Sequence, residues 1–277
     1  MKQSTQLSHF GEAAIGLGYL SAEQVSDVLE EQTRRRGDAA TGSPMGSPIG
    51  SLLRERGLLT PKQITLVLQQ LSGGNLPLSE DGIRLAARLK VLHAGPSNVI
   101  GITGTLACDV AQTAVEIAVA LAVMAQGQVL VVDANLREPS LHKLMGMPLA
   151  PGLSEHITLG EEAPLPMTTQ VAALSAVPAG APTADLLASC MSPAAAAVIE
   201  GFRQQHRYVL VNLGAINTYP EAAVTASRCD GVLTVLHAGL SQKGELSDMQ
   251  RMLEGLNVRH SGIVIARHTG ARERRLA

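Results

Sequence analysis

Between residues 97 and 270 the chain keeps one rhythm: a short, unbroken apolar run, then a stretch with helical spacing. The runs cover 98–103, 129–133, 172–178, 208–213, 231–237 and 262–266, and most are rich in β-branched residues. Helical patterns at 112–126, 193–205, 219–228 and 241–256 separate several of them. A strand without polar alternation must be covered on both faces, and strands joined by helices run parallel. The predicted fold is therefore α/β, a doubly wound and mostly parallel sheet. Ligands of such sheets sit outside the carboxyl ends of the strands.

Composition narrows the function classes. Hydrophobic residues are 45% of the 277 and charged residues 17%, enough apolar material for a core. The formal charge of -2 gives no support to a polyanion partner, so no nucleic acid is expected. Aromatics at 2% make base stacking an unsuitable main theme. Cys108, Cys190 and Cys229 are too few and too scattered for a disulfide framework or a zinc site, which fits a reducing compartment. The opening MKQSTQLSHFGEAA has no apolar core of a signal peptide. The longest apolar stretch, 114–125, is interrupted by Glu116 and falls short of the roughly 20 residues a spanning helix needs. The expectation is a cytoplasmic protein with no direct membrane insertion, reaching the inner membrane only through a partner.

Residues 1–72 read differently, as a small helical domain that precedes the sheet. FGEAAIGLGYLSAEQVSDVLEEQ (10–32) and IGSLLRERGLLTPKQITLVLQQL (49–71) are two copies of one phrase, about 39 residues apart. Gly11 aligns with Gly50, Gly18 with Gly57, Ser21 with Thr60, and Gln24 with Gln63. In each copy a short helix ends at a glycine suited to positive φ, and Ser21 or Thr60 caps the next helix. Pro61 takes the first helical position of the second copy. Residues 33–47 form a polar loop between the copies. Residues 73–96 are a linker and a helix that Ser79 can cap, 97–270 are the α/β domain, and 271–277 are a tail.

The two phrases resemble the MshEN-type module found at the N-terminus of secretion ATPases and some polysaccharide-export kinases. That resemblance implies cyclic di-GMP as a ligand, with Gly11, Gly18, Gln32, Gly50 and Gly57 as candidate contacts; a protein-docking module is the alternative. The Arg that the family carries before its Leu-Gly pair is His9 in one copy and Pro48 in the other, and the closing Gln is Gln32 but Leu71 in the second copy.

In the α/β part the most informative phrase is VLVVDANLREPSLHKLMG, 129–146. It resembles the deviant Walker element of bacterial tyrosine kinases (BY-kinases) and their relatives in the MinD/ParA superfamily. GLSEHITLG (152–160), VPAGAPTADLLAS (177–189) and the segment 208–239 resemble later blocks of the same family, in the same order. With the repeat in front, the chain resembles the exopolysaccharide chain-length-determinant kinase group and is expected to be P-loop NTPase-like in fold.

The side chains that would do the chemistry are replaced. A phosphate loop reads GxxxxGK[ST]: the second Gly lets N–H groups approach phosphate, the Lys neutralises charge and the hydroxyl holds magnesium. Gly104 fits the first position, but the next three functional positions are Asp109, Val110 and Ala111. A carboxylate about 4 Å from a phosphate oxygen costs about 4 kcal/mol at an effective dielectric of 20. Helix-dipole attraction of about 1 kcal/mol does not offset it. The family's Walker B strand ends in Asp; here it ends in Asn212, an uncharged and poor magnesium ligand. The Asn that reads adenine in relatives is Ala266. Asp133 alone survives as an acidic candidate, with a structural role as its other reading.

The tail, RHTGARERRLA, lacks the tyrosine cluster that the family autophosphorylates. Its Arg272, Arg274 and Arg275 read as a solvated tail. Asp81–Arg84–Ala87 keeps the spacing of the family's subunit-contact helix, leaving either a homo-oligomer or a solvated helix face. Arg137 and Pro139 read as shaping the loop after the second strand, and His142 as a packing residue. Cys108 sits in the altered loop beside Asp109, which opposes thiolate formation. The expected protein has no catalytic residue, metal or cofactor. It is a regulatory or scaffold relative that docks to a chain-length-determinant membrane protein or to an active kinase paralogue. Two alternatives stay open: an ATP- and magnesium-dependent tyrosine autokinase, and a cyclic di-GMP-responsive module.

Overall fold

A computed structural model describes residues 11–38, 53, 56–60, 63, 66–67, 79–105, 110–124, 127–159, 166–169, 171, 173–238, 241 and 243–266. Asp109, Cys108, Gly50, the Gln32 side chain and the tail lie outside what is described.

The apolar runs become strands where expected: β1 (Asn98–Gly104), β2 (Val129–Asp133), β4 (Leu174–Val177), β5 (Tyr208–Gly214), β6 (Gly231–His237) and β7 (His260–Ala266). One strand has no counterpart in the sequence reading. β3 (Met167–Thr168) is two residues long and pairs antiparallel with β4, too short for any periodicity to mark it. The sheet order is β3-β4-β2-β5-β1-β6-β7, and every other pair is parallel.

Between residues 79 and 266 the helices are α2 (Glu80–Leu92), α3 (Val110–Met124), α4 (Leu141–Met145), α5 (Leu153–Leu159), α6 (Leu186–Met191), α7 (Pro193–Gln205), α8 (Pro220–Ala226) and α9 (Lys243–Gly255); α1 (Ala22–Asp38) lies in the N-terminal part. Ser79 caps α2 by accepting the Gly82 N–H at 3.0 Å.

Strand residues divide between the two faces as period-2 geometry requires. Ile100, Ile102, Val131 and Leu210 face α2 and α3 in one core layer. Val99, Val132, Val211 and Leu213 face α7, α8 and α9 in the other. All seven residues of β1 and of β5 are buried, so continuous apolar runs are the sequence signature of the sheet's centre.

The N-terminal part has its own core of Ala14, Leu20, Val25, Val28, Leu53, Leu59 and Val67. The two copies of the repeat share local geometry as well as letters. Gly18 has φ +70° and Gly57 φ +66°, the left-handed turn a side chain would strain. The Tyr19 N–H bonds the Ala14 carbonyl, and the Leu58 N–H bonds the Leu53 carbonyl. Each copy then closes a reciprocal capping box. The Ser21 N–H donates to Gln24 Oε1 at 2.9 Å and the Gln24 N–H to Ser21 Oγ at 3.2 Å. Thr60 and Gln63 repeat this at 2.9 and 3.3 Å. Arg56 pairs with Glu31 and so ties one copy to the other. Among the described residues no helix is long and apolar enough to cross a membrane.

Candidate functional site

The tips of β1, β2 and β5 stand side by side, because β5 lies between β2 and β1 in the sheet. Outside these tips is a cleft of about 850 Å³. Its lining includes Thr105, Val110 and Ala111 from the β1–α3 turn, and Asn212 and Gly214 from β5. Asn135, Arg137, Ser140, His142 and Lys143 come from the segment after β2.

The floor follows from strand register. β2 and β5 run parallel with Asp133 opposite Asn212. Both are buried, at 0% and 1% exposure. Asn212 Nδ2 donates to Asp133 Oδ1 at 2.8 Å, and the Asn135 N–H reaches the same oxygen at 3.3 Å. Asp133 Oδ2 accepts the N–H groups of Ser140 at 3.1 Å and Leu141 at 3.0 Å. A carboxylate offers about four lone-pair directions, and here four donors from the protein use them. Asp133 is thus the cap of α4's first turn and the brace of the loop before it. Burial pushes its carboxyl up. The hydrogen bonds from Leu141, Asn212, Ser140 and Asn135 pull it back without cancelling the rise.

Asn212 Oδ1 accepts the Gly214 N–H at 3.3 Å, so its amide is used on both sides. On β1, Thr103 Oγ1 donates to the Gly214 carbonyl at 2.7 Å and accepts the Ile216 N–H at 3.1 Å, stapling the β1 tip to the loop after β5. Gly104 is the last residue of β1, paired with Val235 of β6. Val110 and Ala111 open α3 with 5% and 2% exposure, so two apolar side chains are packed at the start of that helix beside the cleft.

Arg137, read from sequence as a loop-shaping residue, has a more specific partner. Its guanidinium pairs with Glu221, through Nε to Oε1 and Nη2 to Oε2, and lies over the Tyr219 ring at 5.5 Å. Glu221 is 2% exposed, in the first turn of α8. The pair joins the loop after β2 to the first turn of α8. Sequence reading missed Glu221 because an acidic residue after Pro220 fits a solvated first helical turn equally well, and its partner lies 84 residues away. Lys143 is exposed on the cleft wall. His142 packs in α4 with Nδ1 buried and unpartnered.

The structure therefore brings together Gly104, Val110, Ala111, Asp133 and Asn212 of the sequence candidates. The repeat glycines that are described lie in the N-terminal part, apart from the cleft, and each has a local structural reason. A Cβ on Gly11 would meet Val25 Cγ1 at 2.5 Å, and Gly18 and Gly57 form the turns. Ala266 ends β7 and pairs with His237. Among the described residues no group of three or more His, Cys, Asp or Glu is placed to hold a metal ion.

No protein-family model matches the chain, and no curated protein does. Solved structures do. The BceF tyrosine kinase domain is 24% identical, with a TM-score of 0.54, over 85% of this chain and 88% of that one. The kinase domain of the Escherichia coli tyrosine kinase ETK is 19% identical, with a TM-score of 0.56, over 78% of each chain. The septum site-determining protein MinD of Pyrococcus horikoshii, solved with Mg-ADP, is 18% identical, with a TM-score of 0.51, over 64% of this chain and 72% of that one. With its parallel sheet and its cleft at the tips of β1, β2 and β5, the α/β part of the chain has the fold shared by bacterial tyrosine kinase domains and MinD-type P-loop ATPases.

Proposed function

We propose that this protein is a non-catalytic relative of the bacterial tyrosine kinases, a regulatory or scaffold subunit in exopolysaccharide assembly or export. It docks to the cytosolic part of a chain-length-determinant membrane protein or to an active kinase paralogue, needs no metal or nucleotide, and meets the inner membrane through that partner. The pathway rests on the family resemblance, since a fold alone does not fix function.

One observation carries the loss of chemistry. The carboxylate at the β2 tip is saturated by four protein donors, one of them the amide that stands in place of a Walker B carboxylate. Magnesium could be bound there only by displacing hydrogen bonds that hold α4, and the amide offers no second charge to repay that. The apolar Val110 and Ala111 at the start of α3 agree.

The test is phosphotransfer. The full chain, incubated with ATP and magnesium, is expected to show no phosphotyrosine by mass spectrometry. Added to the intact kinase encoded nearest to it, the chain is expected to bind and to change that kinase's autophosphorylation rate. Autophosphorylation of the chain by itself would overturn the proposal.

A further inference from the structure

α3 has only a narrow polar strip, Gln112, Thr113 and Glu116: Glu116 is its one charged residue, and ten of its fifteen residues are buried. Its length, about 22 Å at 1.5 Å per residue, spans the domain. Its two ends meet different parts of the molecule. Val110 and Ala111, in the first turn, line the cleft. In the last turn, Val123 packs against the core of the helical repeat, around Ala14, Leu20, Val25 and Val28. Lys90 Nζ of α2 donates to the Met124 carbonyl at 3.1 Å, fixing that end. At mid-helix Glu116 Oε2 accepts the hydroxyl of Ser79, the α2 cap, at 2.9 Å.

We propose that the helical repeat is seated on the last turn of α3, and that this seat couples the repeat to the cleft in free energy. A close-packed interior transmits a displacement instead of absorbing it. α3 is buried along most of its length, and its narrow polar strip of Gln112, Thr113 and Glu116 is held at mid-helix by the Ser79 hydroxyl, so a shift at one end is carried along the packed faces to the other. A protein or small ligand that shifts the repeat on its seat therefore changes the order of the β1–α3 turn. Occupation of the cleft changes the repeat by the same coupling free energy, because linkage is reciprocal. The coupling goes beyond the proposed function and stands whether or not the chain retains catalysis.

Amide hydrogen exchange on the full chain tests it without any ligand. Val123→Asp puts a charge into the seat. Exchange in α1 and in residues 11–16 is expected to rise roughly tenfold, with a smaller rise in residues 110–113. Ile15→Asp puts the same charge on an exposed repeat position that the shared core does not use, and is expected to leave 110–113 unchanged. Val110→Ala perturbs the other end more mildly and is expected to speed exchange in α1. Acceleration confined to the last turn of α3, an equal effect of Ile15→Asp at 110–113, or an unchanged α1 in Val110→Ala would each overturn the coupling.

Discussion

Asp133 and Glu221 are both buried carboxylates beside one cleft, and they are held in opposite ways. Glu221 is paired with a cation, the Arg137 guanidinium, whose fork ties the loop after β2 to α8. Asp133 is met by neutral donors: one amide side chain and three backbone N–H groups. Those four dipoles use the hydrogen-bonding capacity of the Asp133 carboxylate. The difference shows two ways to keep a buried carboxylate: a charged partner brought from another part of the chain, or neutral dipoles that make it a helix cap.

The sharpest way to break that comparison is Asn212→Asp, which introduces a second carboxylate within hydrogen-bond distance of Asp133. Two such charges about 4 Å apart repel by about 4 kcal/mol at an effective dielectric of 20. The pair would then titrate together, taking up a shared proton. Its raised folded-state pKa places the recovery at low pH. Thermal melts are expected to show a Tm roughly 10 °C lower at pH 8 and a smaller loss at pH 5.5. An unchanged Tm at pH 8 would mean that the amide is not what closes the site.

Asp133→Asn comes next. It removes charge but also removes acceptor capacity, leaving N–H groups of Ser140, Leu141 or Asn135 without a partner. A loss of roughly 2 kcal/mol by chemical denaturation is expected, with faster exchange in α4. The sign is informative. Burial raises the folded pKa of Asp133, so its ionised form is disfavoured by folding, and stability it contributes is lost as pH rises through that value. A variant as stable as the parent, or more stable, would overturn the helix-cap reading.

Arg137→Met tests the other carboxylate. Glu221 would stay buried without its counter-charge, and Tm is expected to drop by a few degrees; Arg137→Lys recovers part of this, because it keeps charge without the planar fork. No change in either variant would show that Glu221 does not need its partner.

The smallest expected effect lies away from the cleft. His93, His156, His206 and His260 all have lowered pKa values, each chiefly through burial; Arg259 adds to this at His93, where Asp230 opposes it. Folding therefore disfavours their protonated forms. Their contribution is present above the unfolded value near 6.5 and is lost as pH falls through the lower folded values. Urea midpoints are expected to be flat from pH 8 to 6.5 and to decline below it. His260→Gln, which can keep a bond to Thr234 Oγ1, is expected to soften the decline.

Much of the fold was legible because its signals are local. Unbroken runs such as YVLVNL name a central strand, since only a strand covered on both faces can be apolar throughout. The repeat was legible because turns and caps are made by residues three or four apart, as in Ser21–Gln24 and Thr60–Gln63. β3 was not legible, since two residues carry no period. At the site, candidate residues such as Asp133 and Asn212 could be named from the sequence, but what holds them could not. That Asp133 is saturated depends on the parallel register with β5, and that Arg137 is a brace depends on a glutamate in α8. Neither is a spacing in the chain; both are products of the strand order.

The claim that the cleft no longer grips a magnesium-bound triphosphate is tested most directly by titration calorimetry of the full chain with ATP, in magnesium and again in EDTA. The expected result is the same absence of saturable heat in both buffers up to millimolar nucleotide. Micromolar binding that disappears with EDTA would contradict it.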